Sequence, residues 1–195
     1  MKFDPKIHHR TSIRLQGYDY TQAGAYFITI VTQQRTCLFG NIIDGALALN
    51  DYGRIADKCW RAISEHFPHV ELGEYVVMPN HIHGIIVIHD GRGAIHLPRT
   101  AGAGYRAPTT PITQSTSTIE QFGKPVAGSI PTIVRTYKAA VTRQISRQFN
   151  GANIWQRNYY EHVIRNADEH NRIHLYIASN PTHWADDNEN PGKKP

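Results

Sequence analysis

Cysteine, long apolar runs and, over one stretch, acidic residues are all scarce in this chain, and each scarcity excludes something. Its 195 residues include two cysteines, Cys37 and Cys59. That pair makes neither a disulfide framework nor a zinc-finger spacing, and it reads as two buried or half-buried thiols in a reducing compartment. No run approaches the roughly 18 apolar residues of a membrane span, and the opening MKFDPKIHHRTSIRLQGYDY has no apolar core of signal-peptide length. The expectation is a soluble, cytoplasmic protein with no membrane partner. From Gln121 to Tyr160 there is no Asp or Glu, while Lys124, Arg135, Lys138, Arg143, Arg147 and Arg157 all fall there. A solvated helix usually mixes both signs, so this block points to phosphate contact.

What is present is ordinary for a globular chain. Hydrophobic residues make up 40% and charged residues 19%, which argues against wholesale disorder. The length suits one domain over residues 1–195 with a real core. A net charge of +5 and a pI near 9.3 favour a polyanionic partner without proving one. Between 91 and 128, Gly, Pro, Ser and Thr supply 18 of 38 residues with no sustained periodicity, so a long flexible basic loop is expected. A solvated linker explains that stretch as well as contact with a polyanion does.

Periodicity outlines the elements. AYFITIVTQQ (25–34) alternates and is rich in β-branched and aromatic residues, as a strand is, and GALALN (45–50) reads as a short edge strand. Ile55, Cys59, Ala62, Ile63 and Phe67 recur at helical spacing, with Pro68 just beyond. VELGEYVVM and HIHGIIVI form a hairpin around Pro79-Asn80. Ser129 caps a helix whose apolar stripe is Ile130, Val134, Tyr137, Val141 and Ile145, with Arg135, Lys138, Arg143 and Arg147 off the stripe. Asn166 caps a last helix that runs through RIHLYIASN to Pro181. In IWQRNYYEHVIR (154–165), Trp155, Tyr159 and Tyr160 could stack on unpaired bases beside Arg157 and Arg165, or could belong to the core.

Two short patterns carry chemistry. On a strand His81 and His83 point the same way, as two ligands of one metal would. With 12 histidines, about 0.7 His-x-His pairs arise by chance, so the pair alone decides nothing. On the last helix Tyr176 and Asn180 lie four residues apart on one face. Two imidazoles and an amide oxygen would make an open mixed N/O site with positions left for a phosphate oxygen, and a nearby tyrosine could be a nucleophile.

The hairpin YVVMPNHIHGIIVI resembles the HUH signature (His, hydrophobic, His) of single-tyrosine transposases. The tail WQRNYYEHVIRN followed by LYIASNP is similar to that of the REP-associated tyrosine transposases. The segments RLQGYDYTQAGAYFITIVTQQRTCLFG and FGKPVAGSIPTIVRTYKAAVTRQI are similar to the same group, so the resemblance spans nearly the whole chain, least of all at about 91–120. It implies an α+β, ferredoxin-like sandwich, an antiparallel sheet with helices on one face and the HUH pair on a central strand. It implies that His81, His83 and Asn180 hold a divalent metal, Mg²⁺ or Mn²⁺, and that Tyr176 is the nucleophile.

The implied function is cleavage and rejoining of single-stranded or hairpin DNA through a 5′-phosphotyrosine, as in DNA transposition, with the protein nucleoid-associated when bound. Arg10, Arg14, Arg135, Lys138, Arg143, Arg147, Trp155, Arg157 and Arg165 are the expected DNA contacts. Monomer and homodimer with exchanged helices both remain open. One rival is a domain of the same fold that binds hairpin nucleic acid and cuts nothing. A second is a zinc hydrolase, in which distant His89 or His162 would have to supply a third nitrogen.

Overall fold

The structure, a computed structural model, describes residues 18–89, 126–149 and 153–193. The arm with Arg10 and Arg14, and nearly all of the 91–128 stretch, lie outside the described residues. Among the described residues six strands and four α-helices follow in chain order: β1 (Gly24–Val31), β2 (Gly40–Ile43), β3 (Ala46–Leu49), α1 (Asp51–Arg61), α2 (Ile63–His66), β4 (Val70–Val77), β5 (His81–Ile88), α3 (Ile130–Phe149), β6 (Tyr160–Ile164) and α4 (Ala167–Ser179). A 3₁₀ turn, Asn180–Asp186, continues directly from α4.

Four strands make one antiparallel sheet in the order β4-β5-β1-β6. With α1 between β1 and β4, and α3 between β5 and β6, this is the βαββαβ connection of a ferredoxin-like sandwich. The α+β expectation holds, and the two histidines do fall on a central strand. That strand, β5, is buried at all eight positions, which explains its nearly continuous apolar run.

Alternation splits the sheet into two faces. Tyr26, Ile28, Ile30, Ile82, Ile86 and Ile88 face α1 and α3, which add Ile55, Ala56, Cys59, Trp60, Ile133, Val134, Tyr137, Val141 and Ile145 to one core cluster. Gly84 belongs to this face. A Cβ there would collide with Cζ2 of Trp60, so the glycine lets the fully buried indole lie flat on the strand. The opposite face carries Ala25, Ile85, Val87 and Ile164 and receives Ile177 and Ile173 from α4. Helices α1 and α3 share one face as expected, whereas α4 forms a second, smaller layer on the other.

Helix starts follow the caps. Asn50 Oδ1 accepts from the Gly53 amide at 3.0 Å, Ser129 Oγ from Thr132 at 3.4 Å and Asn166 Oδ1 from Glu169 at 2.8 Å. Two segments depart from expectation. GALALN is not on the edge of the main sheet: β3 pairs with β2 in a separate hairpin turned at Asp44-Gly45, both at positive φ. Tyr160–Ile164, which shows no clean alternation, becomes edge strand β6 because β1 offers it a ladder.

Candidate active site

The site is built on the second face of β5. Its first support is the turn before the strand, where Asn80 is fully buried. Asn80 Nδ2 donates to the carbonyls of Arg35 at 3.0 Å and Glu189 at 2.6 Å. Those bonds fix the amide orientation, so Oδ1, 2.8 Å from His81 Nδ1, is an acceptor. His81 Nδ1 must carry the proton, and Nε2 keeps a lone pair. Among the described residues this buried Nε2 has no hydrogen-bond partner. His83 Nδ1 lies 2.8 Å from Thr29 Oγ1, the residue directly opposite it on β1. Burial pushes both imidazoles down to about 3, and for His83 the neighbouring His81 adds to the effect. Both rings are therefore neutral at pH 7, the form that ligates a metal.

Helix α4 brings the second half. Glu169 ties its first turn to β6 by accepting from the Arg165 amide and from His162 Nε2, each at 2.7 Å. Ile173 and Ile177 then seat the helix on the sheet, and Tyr176 reaches over β5 with its hydroxyl 3.1 Å from His83 Nε2. The phenol donates to Nε2 when the His83 proton sits on Nδ1 and accepts from it in the other tautomer. The Tyr176 phenol is pushed up to about 12, by burial first and by the charge of Asp187 next. Tyr176 as a whole remains 46% exposed, so a substrate can approach it.

Asn180 sits one turn on, at 2% exposure. Its Nδ2 donates to Asp187 Oδ2 at 2.8 Å, which leaves Oδ1 buried and unpartnered. Asp187 is itself buried, and its Oδ1 accepts from the Glu189 amide at 2.6 Å. Ligand atoms of His81, His83 and Asp187 all lie within 4.8 Å of one another. Asp187 is the residue that sequence reasoning missed. It sits in the run WADDNEN, beyond the 3₁₀ turn, and no spacing marks it out from Asp186 or Glu189.

The orphaned His81 Nε2, beside His83 and the buried Asp187 carboxylate, is what a cation would satisfy, so this donor set fits a divalent metal. His162 and His89, the alternative nitrogens, are engaged with Glu169 at 2.7 Å and Glu71 at 3.3 Å and do not join the cluster.

The expected DNA contacts scatter. Arg135, Arg143 and Arg147 are exposed on α3, whose buried stripe packs on the face of the sheet opposite to His81 and His83. Arg157 and Arg165 are exposed beside β6. Lys138 is turned inward: its ammonium donates to the carbonyls of Gln156 at 2.6 Å and Asn158 at 3.2 Å, and burial pushes it down to about 8. Trp155 is buried in the core beside Phe39 and Tyr137, and its indole N–H donates to the Lys138 carbonyl at 3.1 Å. Together Lys138 and Trp155 clamp the 155–158 segment onto α3.

No family model matches the chain. Among curated proteins it is 41% identical over 187 residues, covering 95% of this chain and 96% of the other, to a Haemophilus influenzae protein described as "Uncharacterized protein". A second Haemophilus influenzae relative, described as "Putative REP-associated tyrosine transposase", is 29% identical over 84% of this chain and 73% of its own length. A solved REP-associated tyrosine transposase bound to a REP hairpin shares the fold at 17% identity and a TM-score of 0.52, over 90% of this chain and 74% of that one. The motifs, the second curated relative and the shared fold point the same way: the chain is similar to REP-associated tyrosine transposases and has their fold.

Proposed function

We propose that this protein binds hairpin DNA with a single-stranded flank and cleaves and rejoins it through Tyr176. The observation that carries the reading is the meeting of Tyr176 Oη and His83 Nε2 at 3.1 Å, beside the His81, His83 and Asp187 cluster. A tyrosine against a metal-type ligand set is the arrangement an in-line attack on a phosphodiester requires. The solved structure of similar fold holds a REP hairpin, which makes hairpin DNA the substrate class to test first.

In the proposed step Tyr176 Oη forms a bond to phosphorus while the bond to the 3′ oxygen breaks. The phenol proton is balanced by the proton gained at the released 3′-OH, and the protein stays joined to the 5′ phosphate. Reversal by that hydroxyl, or by one from another strand end, rejoins DNA without a nucleotide cofactor. His81 and His83 (through Nε2), Asp187 and the Asn180 amide oxygen would hold the metal, which supplies charge to orient and polarise the phosphate. Asn80 fixes the tautomer of His81, Thr29 anchors the ring of His83, and α4 sets the approach of the phenol. With a pKa near 12, about one Tyr176 in 10⁵ is phenolate at pH 7, so a nearby positive charge matters greatly to this nucleophile. The mixed imidazole and carboxylate set suits Mn²⁺ better than Mg²⁺.

The test is a denaturing gel of protein mixed with labelled hairpins from the DNA around its gene. An adduct that survives boiling, needs Mn²⁺, disappears with EDTA and is absent in Tyr176→Phe is the expected result. Asp187→Asn should weaken Mn²⁺ binding at least about tenfold by titration. Tight hairpin binding without any adduct would favour the rival in which the same fold binds and does not cut.

A further inference from the structure

The register of β6 brings one more aromatic side chain to the active face. Tyr160 pairs with Thr29 across β1–β6, and Thr29 pairs with His83 across β1–β5. Residues directly opposite each other share a face, so Tyr160, Thr29 and His83 form a row across the sheet, about 10 Å from end to end. Thr29 Oγ1, 2.8 Å from His83 Nδ1, occupies the middle. Phe27, on the same face, has its ring centroid 6.2 Å from Tyr160, 6.2 Å from Tyr176 and 5.3 Å from His83.

Of the aromatics in this part of the chain, Trp155 is buried and Tyr159 packs on the core, while Tyr160 is 53% exposed on an edge strand. It lies on the face that carries His83 and is linked to Tyr176 through Phe27, which touches both rings. One exposed ring over a half-buried one is far too small for a protein interface of roughly 1,000 Å² or more, and it matches the size of a single base.

We propose that Tyr160, backed by Phe27, is a stacking shelf for the unpaired nucleobase adjacent to the phosphate that Tyr176 attacks. The inference rests on the reading of the site given above and adds a residue that touches the substrate without taking part in bond making. Stacking on a phenol ring tolerates any base, so the shelf would position the strand and leave sequence choice to other contacts.

The test uses hairpin oligonucleotides from the DNA flanking the gene, each with a single-stranded tail carrying 2-aminopurine at one position. Protein with Tyr176→Phe keeps them uncut. One tail position should lose fluorescence several-fold on binding. Tyr160→Ala should restore that signal and weaken binding roughly 5- to 100-fold, and Tyr160→Phe should keep the quenching. A Tyr160→Ala protein that melts like the parent yet quenches every position as before overturns the shelf. If quenching follows Tyr160 while wild-type protein forms no adduct, the shelf stands and the catalytic reading falls. Failure of wild-type protein to bind any hairpin removes both.

Discussion

The two faces of one sheet solve opposite problems. Toward α1 and α3 the strands present Tyr26, Ile28, Ile30, Ile82 and Ile86 to a packed apolar layer centred on Trp60. Toward α4 the same strands present Thr29, His81 and His83 to Tyr176, Asn180 and Asp187. The first face is held by apolar packing, although the buried Trp60 Nε1 has no hydrogen-bond partner among the described residues. On the second, His81 Nε2 and Asn180 Oδ1 are buried without partners, an arrangement that costs stability and persists at sites that bind something. Adjacent residues of one strand can therefore answer to different demands.

The largest effect should come from splitting those demands at neighbouring positions. His83→Ala should abolish metal-dependent cleavage, by about a thousandfold or more, while the melting temperature of metal-free protein moves little. Gly84→Ala, one residue on, should cost about 1–3 kcal/mol through Trp60 and lower the melting temperature by several degrees, with the folded fraction still cleaving. Equal loss of activity per folded molecule in both variants would break the division between faces.

An intermediate effect concerns pH. His81 and His83 sit near 3 in the folded protein against about 6.5 unfolded, so the unfolded chain takes up their protons first. Their contribution to stability is complete above about pH 6.5 and is lost as pH falls toward 3. At pH 5 each costs on the order of 2 kcal/mol. Thermal melts of metal-free protein from pH 8 to 5 should drop steeply below 6.5, and less steeply in His81→Gln. A slope unchanged by that variant would locate the acid sensitivity elsewhere.

The smallest effect separates Lys138 from its neighbours on α3. Lys138→Met removes a clamp on the 156–158 carbonyls and should lower stability by about 1 kcal/mol or more. Arg143→Ala should leave melting unchanged and, if α3 touches DNA, reduce the salt dependence of hairpin binding by about one phosphate. Reversed outcomes would mean that Lys138 leaves its carbonyl partners to bind DNA.

Much of this molecule is legible residue by residue. Period two in HIHGIIVI puts His81 and His83 on one face, period 3.6 in LYIASN aligns Tyr176 with Asn180, and Asn50, Ser129 and Asn166 mark helix starts. Those features follow from backbone geometry, which acts over a few residues and is written locally. Nothing local distinguishes Trp155 in the core from Tyr160 at the surface, since both are aromatics in the same basic stretch. Nor does anything local turn Lys138 inward while Arg135, Arg143 and Arg147 face solvent.

By itself, then, the sequence determined most of the elements, though not β2 or β6, the faces on which His81, His83, Tyr176 and Asn180 lie, and the family resemblance. Only tertiary structure decided that α4 crosses the second face of the sheet, that Asp187 closes the cluster and that Tyr160 stands in line with His83. The reason is distance along the chain. Tyr176 and His83, or Asp187 and His81, meet because separate elements bury apolar surface together, and that collective packing has no signature at either residue.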